Sequence, residues 1–239
     1  LENTKRAWSM ILKDLKGEKK YFMWTIVFAA YMAFTFGMAI RGQMEAPKYV
    51  SPVTDGLFLL LMPMLGFYFC RRSFKYLSED SYTHMLAYFR ALPISDHVVI
   101  AYRLMQSFLA FVINGIVFFG LMYWIAEPVR SEMTIAGYLA LALTWIGYGI
   151  LMTGPYMYFE FSNHGKAYFR STFILLAVAV ITAATIKLCG GNLLNFSIEM
   201  AAKWSLLSPI MWSMLAAAAA SLTLFSRITL RKLRSRDLV

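Results

Sequence analysis

Residues 71–103 read RRSFKYLSEDSYTHMLAYFRALPISDHVVIAYR, and this stretch decides the fold because it sets an amphipathic, water-facing helix between two apolar runs. Taken as a helix, residues 81–92 place Tyr82, Met85, Leu86, Phe89 and Leu92 on one stripe at spacings of three and four, with Thr83, His84 and Arg90 turned elsewhere. Ser78 is positioned to cap its first turn, and Glu79 and Asp80 suit the positive end of the helix dipole. Pro93 stops the helix and forces Leu92 towards an extended conformation, after which Ser95 and Asp96 restart a helix that enters the next apolar run.

Hydrophobic residues make up 59% of the 239 positions and charged residues 15%, against roughly 45–50% and 25% in a soluble domain. That is the composition of an integral membrane protein. A hydrocarbon core of about 30 Å takes roughly 20 helical residues to cross, and suitable runs fall at about 21–40, 55–70, 97–126, 134–159, 171–189 and 208–225. The expected fold is therefore an all-α membrane domain of six transmembrane helices over 1–239, with no internal repeat, linker or separate soluble domain. The second run is short and holds Pro63, so a kink is expected there, with Arg71 and Arg72 snorkelling to the interface.

Basic residues near span ends stay in the cytoplasm. Of the 23 Lys and Arg, 18 lie before the first run, between the second and third (to Arg103), between the fourth and fifth, and after the sixth; 5 lie in the other segments. Both termini are expected in the cytoplasm. The net charge of +10 thus reports topology and contact with anionic lipid, not nucleic-acid binding. Cys70 and Cys189 sit at opposite ends of their spans, too far apart for a disulfide. The first apolar run is long and lacks a small-residue cleavage site, so no cleaved signal peptide is expected.

Before the first span, Trp8, Ile11, Leu12 and Leu15 share a helical face opposite Lys13, Asp14 and Lys16, and Gly17 ends the pattern. This reads as an interfacial helix, serving either a partner or the lipid surface alone. Gly190 and Gly191 break the helix before an apolar stretch up to Leu207 that is too short to cross. It forms either short helices at the outer interface or a folded external loop covering the bundle. The small-residue run at 216–220 permits close helix approach, within the chain or between two chains. Arg227, Arg231, Lys232, Arg234 and Arg236 form a basic tail at the cytoplasmic surface.

No GxxxxGK[ST] phosphate loop occurs, since Gly165–Lys166 is followed by Ala167. His84, His97 and His164 are scattered, with no metal spacing, and the 13 carboxylates fall in loops or at span ends. Neither a catalytic nor a metal site is expected, and no cofactor. Arg103 is read as snorkelling, with Glu160 and Lys187 at span ends, and that scarcity of intramembrane charge argues against an ion-coupled carrier. Asn114 is read as a helix–helix hydrogen bond, and Thr144, Thr153, Thr182 and Thr185 as packing.

The order of an interfacial helix, two spans, a loop carrying 82–92, the segment Arg90-Ala91-Leu92-Pro93-Ile94-Ser95 and then 99–103 leading into the third span resembles ABC-2-type permeases of ATP-binding-cassette exporters. The six-span length, external short helices and basic C-terminus agree over nearly the whole chain. The resemblance implies a homo- or heterodimer of permeases in a bacterial plasma membrane with two cytoplasmic ATPase subunits that bind the ATP. It implies that Tyr82, Met85, Leu86, Phe89, Arg90, Leu92 and Pro93 form the coupling helix. Its substrates would be drugs, peptides, lipids or polysaccharides, the apolar spans favouring an amphipathic peptide or drug. The stripe packs either on the chain's own spans or in an ATPase groove; Met85 and Leu86 are expected inward, and Tyr82, Phe89 and Arg90 towards the partner. Rival readings are a non-transporting immunity or scaffold protein and a secondary carrier.

Overall fold

Long runs without water-facing charge satisfy their backbone internally by becoming helices. In the structure, a computed structural model that describes residues 2–45, 47–92 and 94–236, only the backbone is described for 43–45, 47–52, 71, 72 and 74. Its helices are α1 (Glu2–Gly17), α2 (Lys19–Glu45), α3 (Pro47–Leu61), α4 (Arg71–Glu79), α5 (Ser81–Ala91), α6 (Asp96–Ile125), α7 (Glu127–Glu132), α8 (Ile135–Ser162), α9 (Gly165–Leu188), α10 (Leu193–Trp204) and α11 (Pro209–Ser235). Single 3-10 turns follow α3 (Met62–Gly66) and α10 (Ser205–Leu207), and no strand occurs among the described residues. Among the described residues five helices, α2, α6, α8, α9 and α11, are long and apolar enough to cross a membrane. The protein is all-α with multi-pass membrane character.

The run at 55–70 departs most from expectation. It is not a kinked helix: α3 begins earlier, at Pro47, ends at Leu61, tightens into the 3-10 turn around Pro63, and continues through Phe67–Cys70 without helix. Proline removes a backbone donor and clashes with the preceding turn, so the carbonyls and amides around it must find partners elsewhere. They do. Tyr148 Oη donates to Leu59 O (2.9 Å), Asn114 Nδ2 to Leu65 O (2.8 Å) and Phe67 O (3.3 Å), and Phe69 N–H donates to Thr25 Oγ1 (3.0 Å). The Arg71 and Arg72 side chains, proposed to snorkel, lie outside the described residues, as does Pro93.

This segment runs the length of the bundle. Asp55 meets α10 at one end, Phe58 packs with Phe36 and Trp145 in the middle, and Phe69 meets Thr25 near the start of α2. The Phe111 ring is wedged between it and α8. A Cβ on Gly66 would lie 2.6 Å from Phe111 Cζ and one on Gly149 2.7 Å from Cε1, so both positions require glycine. Replacing Asn114 with Leu keeps the volume but leaves two carbonyls unsatisfied, at a cost of about 1–3 kcal/mol for each one that stays dry. Thermal unfolding in lipid nanodiscs should show the drop, and an unchanged midpoint would mean water reaches the break.

α8 is central. Its Pro155 frees the carbonyl of Leu151, and Ser221 Oγ of α11 donates to that oxygen at 2.7 Å. Within the small-residue run Ala218 is buried, while Ala216, Ala219 and Ala220 stay exposed. α9 starts six residues before the expected span and α11 extends ten beyond it, carrying most of the basic tail as helix; both leave most of their apolar surface uncovered. After Gly190, at φ +78°, α10 folds back on the bundle. The Asp55 carboxylate accepts from Leu193 N–H and Leu194 N–H, both at 2.9 Å, and Trp145 Nε1 donates to Ser197 Oγ at 3.2 Å. The segment is thus a short helix that also covers the bundle. Cys70 and Cys189 are both free thiols, and Thr144, Thr153, Thr182 and Thr185 each donate to a carbonyl of their own helix.

α1 ends at Gly17 as expected, but its apolar face divides. Ala7 and Ile11 are buried, Leu15 packs partly, and Trp8 and Leu12 face outward. Tyr102 Oη of α6 donates to Asp14, tying α1 to the bundle from its polar side.

Candidate functional site

The loop helices α4 and α5 meet at Asp80, whose backbone lies in the left-handed region (φ 44°, ψ 44°). Aspartate tolerates that conformation better than most residues. The turn aims its carboxylate at the start of α9: Oδ1 accepts from Gly165 N–H at 2.7 Å and Oδ2 pairs with His164 Nδ1 at 3.0 Å, the ring nitrogen being the donor. An anion at a helix N-terminus is favourable. Ser78, expected to cap α5, instead donates to Lys75 O within α4, and Glu79 pairs with Lys75.

Burial alone would raise the Asp80 pKa, but the hydrogen bonds from Gly165 and His164 outweigh it and hold the carboxyl below its ordinary value. A carboxyl depressed on folding stabilises above its unfolded pKa, and that contribution fades as the pH falls through the folded one. Asp80→Asn keeps the turn without the charge. Thermal midpoints should show wild type ahead of Asp80→Asn at pH 7 and level with it well below about pH 4, the ordinary carboxyl range. A pH-independent gap would remove the ionic part of this contact.

Two arginines cross between α5 and the end of α11. Arg236 donates through Nη1 to Phe161 O (2.6 Å) and through Nη2 to Thr83 Oγ1 (2.9 Å) and Asn163 O (3.2 Å). Arg90 of α5 answers by donating to Leu233 O and, at 2.7 Å, to Arg236 O. Arg90 thus caps the C-terminus of α11, where Leu233 O also accepts from Arg236 N–H at 3.3 Å. Arg236 is therefore a buried clamp on the α8–α9 turn and not a surface anchor, and Thr83, expected to turn away, is buried because it meets that clamp.

Under α5, Tyr82 stacks on Tyr76 (centroids 5.7 Å apart) and meets Tyr168 of α9 edge-on (5.5 Å), while Phe89 meets Tyr102 of α6 (6.1 Å). Burial pushes the Tyr82 phenol well up, so it stays neutral. Beneath them Arg103 Nε donates to Glu160 Oε2 at 2.9 Å and Nη1 to Ser107 Oγ at 2.8 Å. The side chains are 10% and 3% exposed. Arg103 therefore does not snorkel, and Glu160, near the end of its span as expected, is buried in an ion pair. Tyr82 and Met85 help to line a void of about 20 Å³ beside the pair, room for about one water.

The expected stripe is present on α5, with Met85 and Leu86 inward as expected, but the direction of Tyr82, Phe89 and Arg90 needs correcting. Tyr82, Met85, Leu86 and Phe89 are all buried against the chain's own helices, Tyr82 and Phe89 included, and Arg90 reaches α11. Leu92, extended as expected, leaves the stripe and is 38% exposed. The outer face of α5 carries His84 and Tyr88, the latter 59% exposed, four residues apart and followed by Leu92. Sequence reasoning missed this row because two of its members look like spacers between stripe positions. Compared with protein-family models, with curated proteins and with solved structures, the chain finds no match.

Proposed function

We propose that the chain is the transmembrane permease subunit of an ABC-2-type exporter, paired with a second permease chain and driven by cytoplasmic ATPases that bind the ATP. One observation carries this reading. A loop helix on the basic side, α5, is clamped to the ends of α6, α8, α9 and α11 while keeping an outer row of His84, Tyr88 and Leu92 exposed. A push on that row is delivered to four helix ends at once, which is what transmission from an ATPase requires. The uncovered faces of α9 and α11 suit lipid or the second permease chain.

In this reading the chain crosses a bacterial plasma membrane six times, with both termini in the cytoplasm. The apolar residues 57–70 reach up to about 30 Å when five are counted as α-helix, five as 3-10 and four as extended chain. An irregular crossing of this kind is tolerated where protein covers it. Cysteines placed at Ser131 and Glu199, in a background lacking Cys70 and Cys189, should then react with an impermeant thiol reagent in intact cells, and those at Ser78 and Lys166 should not.

The decisive experiment is the double substitution Tyr88→Ala with Leu92→Ala, scored against the P-loop ATPase cross-linked to the chain in native membranes. Both positions are exposed, so stability should change by no more than about 0.5 kcal/mol. ATPase association should weaken about thirtyfold, as for loss of an interface anchor worth about 2 kcal/mol. Normal association, or failure to recover any P-loop ATPase, would overturn the reading.

A further inference from the structure

A cavity of about 350 Å³ lies beside the clamp, walled by α2, the end of α3, α4, α5, α8 and α9. Volumes of this order hold single small molecules. Its lining includes the rings of Tyr76, Tyr82 and Tyr168 and the hydroxyl of Thr172, with no Asp, Glu, Lys, Arg or His among the described residues. A charged guest would lose its hydration there with no counter-charge among those described lining residues. An uncharged ring bearing a hydroxyl or carbonyl would find ring edges and faces for its body and phenols for its polar group.

The cavity also has an approach. Phe28 and Phe69 meet edge-on, with centroids 5.2 Å apart, and both line a second, open groove of about 640 Å³ beside the exposed Trp24 and Tyr31 of α2. That groove opens on the apolar surface of a helix long enough to cross a membrane. This pair of rings lines both the groove and the cavity.

We propose that the cavity is a binding site for an uncharged, ring-bearing small molecule that enters from the lipid past Phe28 and Phe69. The loop helices form one wall through Tyr76 and Tyr82, so occupancy and the position of α5 are thermodynamically linked. Binding stands on the cavity alone; the step from occupancy to ATP turnover rests on the permease reading.

The test uses the full chain in lipid nanodiscs without an ATPase. The probe is 3-trifluoromethyl-3-(m-iodophenyl)diazirine, an uncharged aromatic photolabel, and adducts are located by peptide mass spectrometry. Tyr82 and Tyr168, both buried, should be labelled saturably, and excess 1-naphthol should reduce that labelling at least about tenfold while tetraphenylphosphonium and naphthalenesulfonate do not. Thr172→Trp fills the cavity and disturbs only a hydroxyl that bonds its own helix. It should abolish labelling of Tyr82 and Tyr168 while leaving that of Phe173, 54% exposed on the outer surface of α9, unchanged. If that variant unfolds, Thr172→Phe replaces it. Labelling confined to outward residues such as Phe173, labelling of the tyrosines that survives cavity filling, or equal competition by the charged compounds would each overturn the proposal. Saturable binding without any ATPase recovered would leave the site standing and sink only its coupling role.

Discussion

Gly165→Ala should dislodge the loop helices from the bundle, the largest effect expected of any one-methyl change in this chain. A Cβ on Gly165 would overlap the carbonyl oxygen of Tyr76 and lie 2.8 Å from its carbonyl carbon. Both are backbone atoms of α4, so no rotamer change relieves the clash. Either α4 or the start of α9 has to move, and with that movement go the Asp80–Gly165 hydrogen bond at 2.7 Å and the contacts of Tyr76 and Tyr82 with Tyr168. Losing a cap and a buried aromatic cluster together places the cost among the exceptional single substitutions, about 4 kcal/mol or more. Gly17→Ala is the control, because nothing lies within 4 Å of a Cβ there; it should be neutral or slightly stabilising. Thermal unfolding of the two variants, with proteolysis at the α4–α5 turn as a local readout, decides the matter. Equal midpoints for Gly165→Ala and wild type would show that α4 does not approach α9 this closely.

The features legible in the sequence were those set by neighbours along the chain. Spacings of three and four marked the stripe of α5, Gly190 and Gly191 marked the break before α10, and the lone deep amide of Asn114 marked a buried hydrogen bond, although its acceptors, Leu65 O and Phe67 O, lie in the 3-10 turn and the non-helical stretch after it, not on a second membrane helix. What stayed hidden depends on partners far away. Pro63 suggested a kinked helix, and the chain instead leaves the helix altogether because Thr25, Asn114 and Tyr148, 44 to 89 residues distant, take up the freed backbone groups. Arg103 looked like a snorkelling residue because its partner, Glu160, is 57 residues on and looked like the end of a span. Arg236 reads as a tail cation, yet it closes on Thr83, 153 residues earlier. Periodicity shows that α5 has an apolar face but not what covers that face. Once the stripe is seen to be covered by the chain itself, the row on the opposite side is the part of α5 that stays exposed.

The Arg103–Glu160 pair supports the second large prediction. Removing one member of a buried ion pair strands the other, typically at 3–5 kcal/mol, whereas replacing both by apolar groups of similar volume is often neutral or stabilising. Glu160→Ala should therefore be strongly destabilising: its partner's side chain is 10% exposed and retains, among the described residues, Ser107 Oγ and the face of Phe67, 5.9 Å away. Glu160→Gln keeps an acceptor for Nε without the charge and should fall between Glu160→Ala and wild type. Arg103→Met with Glu160→Leu should recover most of the loss, so that the double variant is more stable than either single one by a few kcal/mol, a non-additivity that a double-mutant cycle reads directly. Simple addition of the two single effects would mean that water or lipid headgroups already neutralise the pair. Under the permease reading the double variant also separates stability from transmission. Tyr82 and Met85 of α5 line the same small void as the two charges, so a chain that folds normally, binds its ATPase and yet no longer couples turnover to substrate would place the ion pair in the path between α5 and the helices beneath it. Full coupling in the stable double variant would confine the pair to holding α6 against α8.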